Sequence, residues 1–143
     1  MYIWLLLTYR LPSGPSARRV YTWRKLKRLG AISIDEAVWV LPDTPRTHEQ
    51  FQWLAAEIQE MGGEAIFWKA QMELVGQEEA LVERFVRQAN EAYQAILDKL
   101  AQPDCDMVLL AQEYQQAKSK DYLQSSLGQA VRQALLEARE NER

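Results

Sequence analysis

Residues 2–9 read Tyr-Ile-Trp-Leu-Leu-Leu-Thr-Tyr, an unbroken apolar and aromatic run followed by Arg10 and then by Leu11-Pro12-Ser13-Gly14-Pro15. A run this short between breakers has the length of a strand, and its lack of alternation is that of a strand buried on both faces. A helix then begins near Ser16, with Ser13 or Ser16 as its cap. Val20, Trp23, Leu26 and Leu29 recur every third residue as its apolar stripe, and Gly30 stands where a C-cap glycine belongs. Residues 31–34 and 38–41 form two short strands around a tight connection at Asp35-Glu36, and Pro42-Asp43 stops the second. A second helix starts after Asp43 or Thr44 with Pro45 in its first position. It carries Phe51, Leu54, Ala55 and Ile58 inward and ends at Gly62-Gly63. Residues 64–70 supply a fourth strand.

The order strand, helix, strand, strand, helix, strand defines an α+β chain with the ferredoxin-like βαββαβ arrangement, an antiparallel sheet covered by two helices on one face. It occupies residues 1–75. Residues 76–143 read as an α-helical C-terminal extension packed on it as one compact unit. In residues 77–100, Leu81, Phe85, Ala89, Tyr93, Ile96 and Leu100 recur at spacings of three and four. Gln102-Pro103-Asp104 breaks this pattern. Residues 107–122 make another helix with Val108, Ala111 and Tyr114 on one stripe. Ser125-Ser126 caps a last one with Leu127, Val131, Leu135 and Ala138, and Arg139 to Arg143 form a solvated end.

The 143 residues are enough for a core without staples, and 48% hydrophobic with 26% charged content is that of an ordinary globular protein. Cys105 is the sole cysteine and His48 the sole histidine, which excludes an internal disulfide and any zinc site built from several such ligands. The same economy suits a reducing cytoplasm. The run at residues 1–9 is too short to cross a bilayer, and no basic segment precedes it as in a signal peptide.

Charge is the informative feature. The net charge is only −3, yet residues 1–30 hold Arg10, Arg18, Arg19, Arg24, Lys25, Lys27 and Arg28 and no acid. Ten basic and twenty acidic residues remain for the rest of the chain, a balance of −10 against +7. At 100° per residue Arg24, Lys25 and Arg28 share one side of the first helix with Tyr21, opposite the expected stripe, and Arg18 lies at its edge. Such a row suits phosphates, which arginine meets bidentately. The alternative is a solvated face answered by the acidic second half, or by an acidic partner.

Other chemistry-bearing residues have plainer readings. Trp4, Trp39 and Trp68 fall inside strands and Trp23 on the helical stripe, so they are expected in the core, while Trp53 fits its helix's stripe least well. His48 in a helix's first turn is expected in solvent. Cys105 between Asp104 and Asp106 has acidic neighbours that work against a reactive thiolate. No catalytic, cofactor-binding or metal-ligating residue is assigned, and a non-enzyme is expected.

Several stretches resemble the N-terminal domain of ChrB, the chromate-resistance regulator. They include Trp4-Leu5-Leu6-Leu7 with Tyr9-Arg10-Leu11-Pro12-Ser13, then Arg18-Arg19-Val20 and Trp23-Arg24-Lys25-Leu26-Lys27-Arg28-Leu29-Gly30-Ala31. Val38-Trp39-Val40-Leu41-Pro42, Glu57-Ile58 and Gly62-Gly63-Glu64-Ala65 continue the likeness. It returns at Asp121 to Gly128, where Ser126 replaces the family's usual Pro. The resemblance implies a bacterial cytoplasmic protein in transcriptional control of chromate resistance, with DNA-binding arginines carried over to Arg18, Arg19, Arg24 and Arg28. Typical members continue into a separate domain linked to the chromate response. The sequence ends at Arg143, so the expectation is confined to the DNA-facing part. The chain is also distantly similar to the small CRISPR-adaptation nuclease subunit and to the middle domain of the phenylacetate-catabolism repressor. The nuclease holds a divalent metal with an Asp at the end of strand one. Tyr9 and Arg10 stand there in this chain, and an arginine repels a cation, so hydrolysis by that route is not expected.

The resulting expectation is a dimeric, DNA-associated regulatory module without cofactors. It would bind duplex DNA through phosphates with Arg10, Arg18, Arg19, Arg24, Lys25 and Arg28. The alternative is a protein-interaction or dimerisation module whose basic helix meets an acidic partner.

Overall fold

One of the sheet's two inner strands is β1, Trp4–Arg10. It begins two residues later than the apolar run because only from Trp4 onward does the backbone pair with both neighbours. The computed structural model describes residues 1–14 and 16–142; Pro15 of the expected breaker and Arg143 of the expected solvated end lie outside the described residues. Along the chain follow α1 (Ser16–Leu29), β2 (Ile32–Asp35), β3 (Val38–Pro42), α2 (Pro45–Glu60) and β4 (Glu64–Ala70). The helices α3 (Val75–Leu100), α4 (Met107–Ser119) and α5 (Ser126–Asn141) complete it. The four strands form one antiparallel sheet in the order β2-β3-β1-β4. The β2–β3 turn falls at Glu36-Ala37, one residue later than the sequence suggested, and a bulge between Ser33 and Asp35 takes up the difference.

The chain divides into two compact units, the first running from Met1 to Glu78 and the second starting at Glu79. In the first, the register places Leu5 opposite Leu41 and Leu7 between Trp39 and Phe67. Phe51 of α2 packs edge-on against Phe67 with ring centroids 6.1 Å apart, and Leu5, Leu7, Leu41, Phe51, Leu54 and Ile58 are fully buried. Helix α2 opens with a capping box. Thr44 Oγ1 accepts from the Thr47 amide at 3.0 Å, Thr47 Oγ1 accepts from the Thr44 amide at 2.9 Å, and Pro45 takes the first helical position.

Helices α1 and α2 end in the same way. Gly30 (φ 81°) and Gly62 (φ 84°) adopt the left-handed conformation, and paired bonds close each end: Gly30 N to Lys27 O with Ala31 N to Leu26 O, and Gly62 N to Gln59 O with Gly63 N to Ile58 O. These are Schellman caps, for which glycine carries the least strain.

In the second unit α3, α4 and α5 enclose Ala89, Tyr93, Ile96, Leu110, Tyr114, Ala117 and Val131, with Leu97, Leu100, Cys105, Leu127 and Leu135 packed around them. The expected stripe of α4 is corrected: Leu110, Tyr114 and Ala117 are buried, whereas Val108 is 69% exposed. Asp106 caps this helix by accepting from the amides of Val108 and Leu109, which fixes those two residues on its open first turn.

Candidate nucleic-acid interface

Helix α1 carries six of the chain's basic side chains and no acidic one. Its position on the first unit is set by Thr22, Leu26 and Leu29, the residues it buries. This corrects the expected stripe. A strict spacing of three drifts 60° per step on an α-helix, so Val20 and Leu29 cannot point the same way. Spacings of four and three from Thr22 stay on one side. Thr22 can occupy the buried place because its hydroxyl donates to the Arg18 carbonyl, one turn back, at 2.9 Å. Trp23 is displaced onto the outer surface, where it is 50% exposed.

That rotation sorts the cations. Arg18 is exposed but committed: its Nη1 donates to the carbonyl of Met61, the C-cap of α2, at 2.7 Å. A guanidinium there meets the negative end of a helix dipole and an otherwise open carbonyl. Arg19 donates from Nη2 to the Gly14 carbonyl at 3.2 Å. Lys25 lies 3.7 Å from Glu57 of α2, and the Tyr21 hydroxyl donates to the same carboxylate in a short hydrogen bond. That bond pushes the Tyr21 hydroxyl's pKa above its ordinary value. Arg24 and Arg28 make no ion pair among the described residues. They border a shallow cleft of about 440 Å³ together with Val20 and Tyr21. Arg10 stands exposed at the end of β1, opposite Glu64 across the strand pair.

Of the six residues assigned from sequence, Arg18, Arg24, Lys25 and Arg28 share α1 with Arg19, while Arg10 belongs to the sheet. Sequence reasoning left out Lys27, whose Nζ sits 5.7 Å from the centre of the Trp23 ring. The (i, i+4) spacing of Trp23 and Lys27 was the available signal. It was masked by the assignment of Trp23 to the core.

Trp4 and Trp39 are buried as expected, but Trp68 is 48% exposed, as is Trp53 at 65%. Trp68 belongs to an edge strand, and its Nε1 donates to Thr8 Oγ1 at 3.0 Å on the sheet face that bears Ile66. His48 is half-buried rather than in open solvent, with its ring 4.9 Å from that of Phe67. Among the described residues no group of three or more His, Cys, Asp or Glu side chains converges to hold a metal ion. Among those residues, too, no helix is long and apolar enough to cross a membrane. The second unit has its own cleft of about 920 Å³ between α4 and α5, lined among others by Ala111, Leu135, Arg132 and Arg139.

A segment of 54 residues is 37% identical to Protein ChrB of Cupriavidus metallidurans, covering 38% of this chain and 17% of that relative's length. No solved structure matches. Residues 19–120, more than two thirds of the sequence, match the family described as Protein ChrB, N-terminal, and the chain belongs to that family.

Proposed function

We propose that the chain is a DNA-associated regulatory module of the ChrB type, tied to chromate resistance, which holds duplex phosphates with the outer face of α1. The observation that carries this is the pair Arg24 and Arg28, one turn apart, exposed, and without an ion-pair partner among the described residues. A fixed scaffold that keeps two guanidiniums unneutralised favours a polyanion with regularly spaced charges. Lys27 adds a third cation on the same side, and Arg10 a further one from the sheet. Arg18, Arg19 and Lys25 orient the helix through Met61, Gly14 and Glu57 and keep part of their charge for the ligand.

The module is read as ferredoxin-like, in support of which stand the βαββαβ element order and the antiparallel strand order β4-β1-β3-β2. It is read as dimeric and non-enzymatic, working in the cytoplasm of a bacterium. No catalytic residue is assigned to it.

Titration of a labelled duplex at two salt concentrations tests the reading. Binding is expected to weaken as salt rises, and replacing Arg24 and Arg28 together by Ala should make the log-log slope shallower by about 2. An unchanged slope, or no binding at about 50 mM salt, overturns it. A second reading, a protein-interaction module, is favoured by the α4–α5 cleft, where Val108 and Leu136 lie exposed beside Arg132 and Arg139. It gains if DNA affinity is absent while an acidic protein partner is retained.

A further inference from the structure

Among the described residues, Trp23 is the one large aromatic of the cationic helix that neither the core nor a hydrogen bond accounts for. Half of it is exposed, and Arg19 and Lys27 stand one turn to either side. The Lys27 ammonium lies over the ring. Resting on the reading of α1 as a phosphate-binding helix, we infer that Trp23 is a stacking platform and that, beyond the duplex phosphates held by Arg24 and Arg28, the helix takes nucleic acid with unpaired bases and holds it the more tightly.

The argument is one of geometry and chemistry. In a duplex the base faces are covered by one another, and a side chain on a helix reaches only base edges and backbone. An indole can gain its stacking energy only from a base whose face is open. The flanking cations fit the same ligand. Arg19 and Lys27 are eight residues apart, about 12 Å along the helix axis, so a strand laid over Trp23 meets positive charge before and after the stacked base. Arg19 spends one N–H on Gly14 and retains the others. A hydrophobic protein partner would account for Trp23 and Val20 but would bury the adjacent cations without recompense. An acidic protein would answer the cations but would not need the indole face.

The test compares a labelled twelve-nucleotide oligothymidine strand with a duplex of the same length, both at about 50 mM salt, using the full chain. The single strand is expected to bind more tightly. Trp23→Ala should weaken it about tenfold while leaving duplex binding unchanged, and Trp23→Phe should restore most of the loss. The exposed position means that both variants fold, which a thermal melt verifies. Equal single-strand affinity for the wild type and Trp23→Ala overturns the stacking role but leaves the cationic helix as a phosphate site. Absence of binding to either form overturns both readings. A change of oligomeric state in Trp23→Ala with nucleic-acid affinity intact assigns the indole to a protein contact, and so overturns the inference alone.

Discussion

The Tyr93 hydroxyl donates to Asp121 Oδ2 at 2.8 Å, tying the middle of α3 to the turn that leads into α5. The same carboxylate accepts the Ser125 amide at 2.9 and 3.1 Å, and Ser125 then caps α5 by accepting from the Leu127 amide at 3.2 Å. Asn90 of α3 meets the Ser125 hydroxyl in a short hydrogen bond, and Gln124 takes a left-handed conformation (φ 54°) to bring the turn round. Asp121 to Gly128, which lies just beyond the residues that match the family, is thus a latch between helices.

Gly128 completes that latch. A Cβ at this position lies 2.9 Å from the Tyr93 hydroxyl and 3.0 Å from its ring carbon Cζ. Tyr93 is buried and pinned by Asp121, so it has little room to retreat. Gly128→Ala is therefore expected to cost about 1–3 kcal/mol despite the better helix propensity of alanine. Tyr93→Phe removes the nearest of the clashing atoms, so the double variant should be less destabilised than the sum of the singles. Urea unfolding of the four proteins checks this, and strict additivity would argue against the contact.

The same hydroxyl gives the stability a pH dependence. Burial, then the bond to Asp121, push the Tyr93 pKa well above its ordinary 10.0. In the unfolded chain the group ionises near the ordinary value, while the folded protein holds it protonated. Its contribution is complete below about pH 10 and is lost as the pH climbs beyond that. The unfolding midpoint is expected to fall above pH 10, and to fall less steeply in Tyr93→Phe. Identical alkaline profiles would refute the assignment.

These features show where the sequence was readable. Helix ends depend on residues a few positions apart, so Gly30, Thr44-Pro45 and Gly62 located the boundaries of α1 and α2 without the fold. The run containing Leu5 and Leu7 declared a strand, but not one fully buried on both faces: Leu5 and Leu7 are buried, whereas Leu6 and Thr8 on the opposite face are only half-buried. The rotation of α1 was hidden, because a threonine that satisfies itself on Arg18 looks polar in sequence yet packs as core. Tyr93 and Asp121 are 28 positions apart, and no local pattern announces their contact. Trp68 was misread for another reason: an alternation of burial on an edge strand depends on what covers the second face.

Trp4 and Trp23 then predict opposite responses to the same substitution. Trp4 is 1% exposed and its Nε1 donates to Glu78 Oε1 at 3.1 Å. Trp4→Ala is expected to cost about 3–5 kcal/mol, the range for removing a large aromatic from a core. Trp23→Ala should stay within about 0.5 kcal/mol of the wild type, as surface changes usually do. Thermal melts of the two variants decide the point, and a strongly destabilised Trp23→Ala would mean that the indole is packed after all.

Arg18 separates positioning from ligand contact. Its guanidinium spends a strong hydrogen bond on the Met61 carbonyl, and the α2 end it serves is further crowded at Gly63, where a Cβ would lie 2.6 Å from the Arg10 carbonyl. Arg18→Ala should lower stability by about 0.5–1 kcal/mol, modest because the bond is exposed to water. Arg24→Ala, with no such bond, should leave stability unchanged. In nucleic-acid titrations the order reverses: Arg24→Ala should reduce the salt slope by about 1, and Arg18→Ala by much less. Lysine at position 18 should recover part of the stability, since an ammonium can still reach the carbonyl but lacks the planar fork. If instead Arg18→Ala keeps full stability and loses as much salt slope as Arg24→Ala, the Met61 contact is not what holds this arginine, and the helix offers the ligand a wider row of cations.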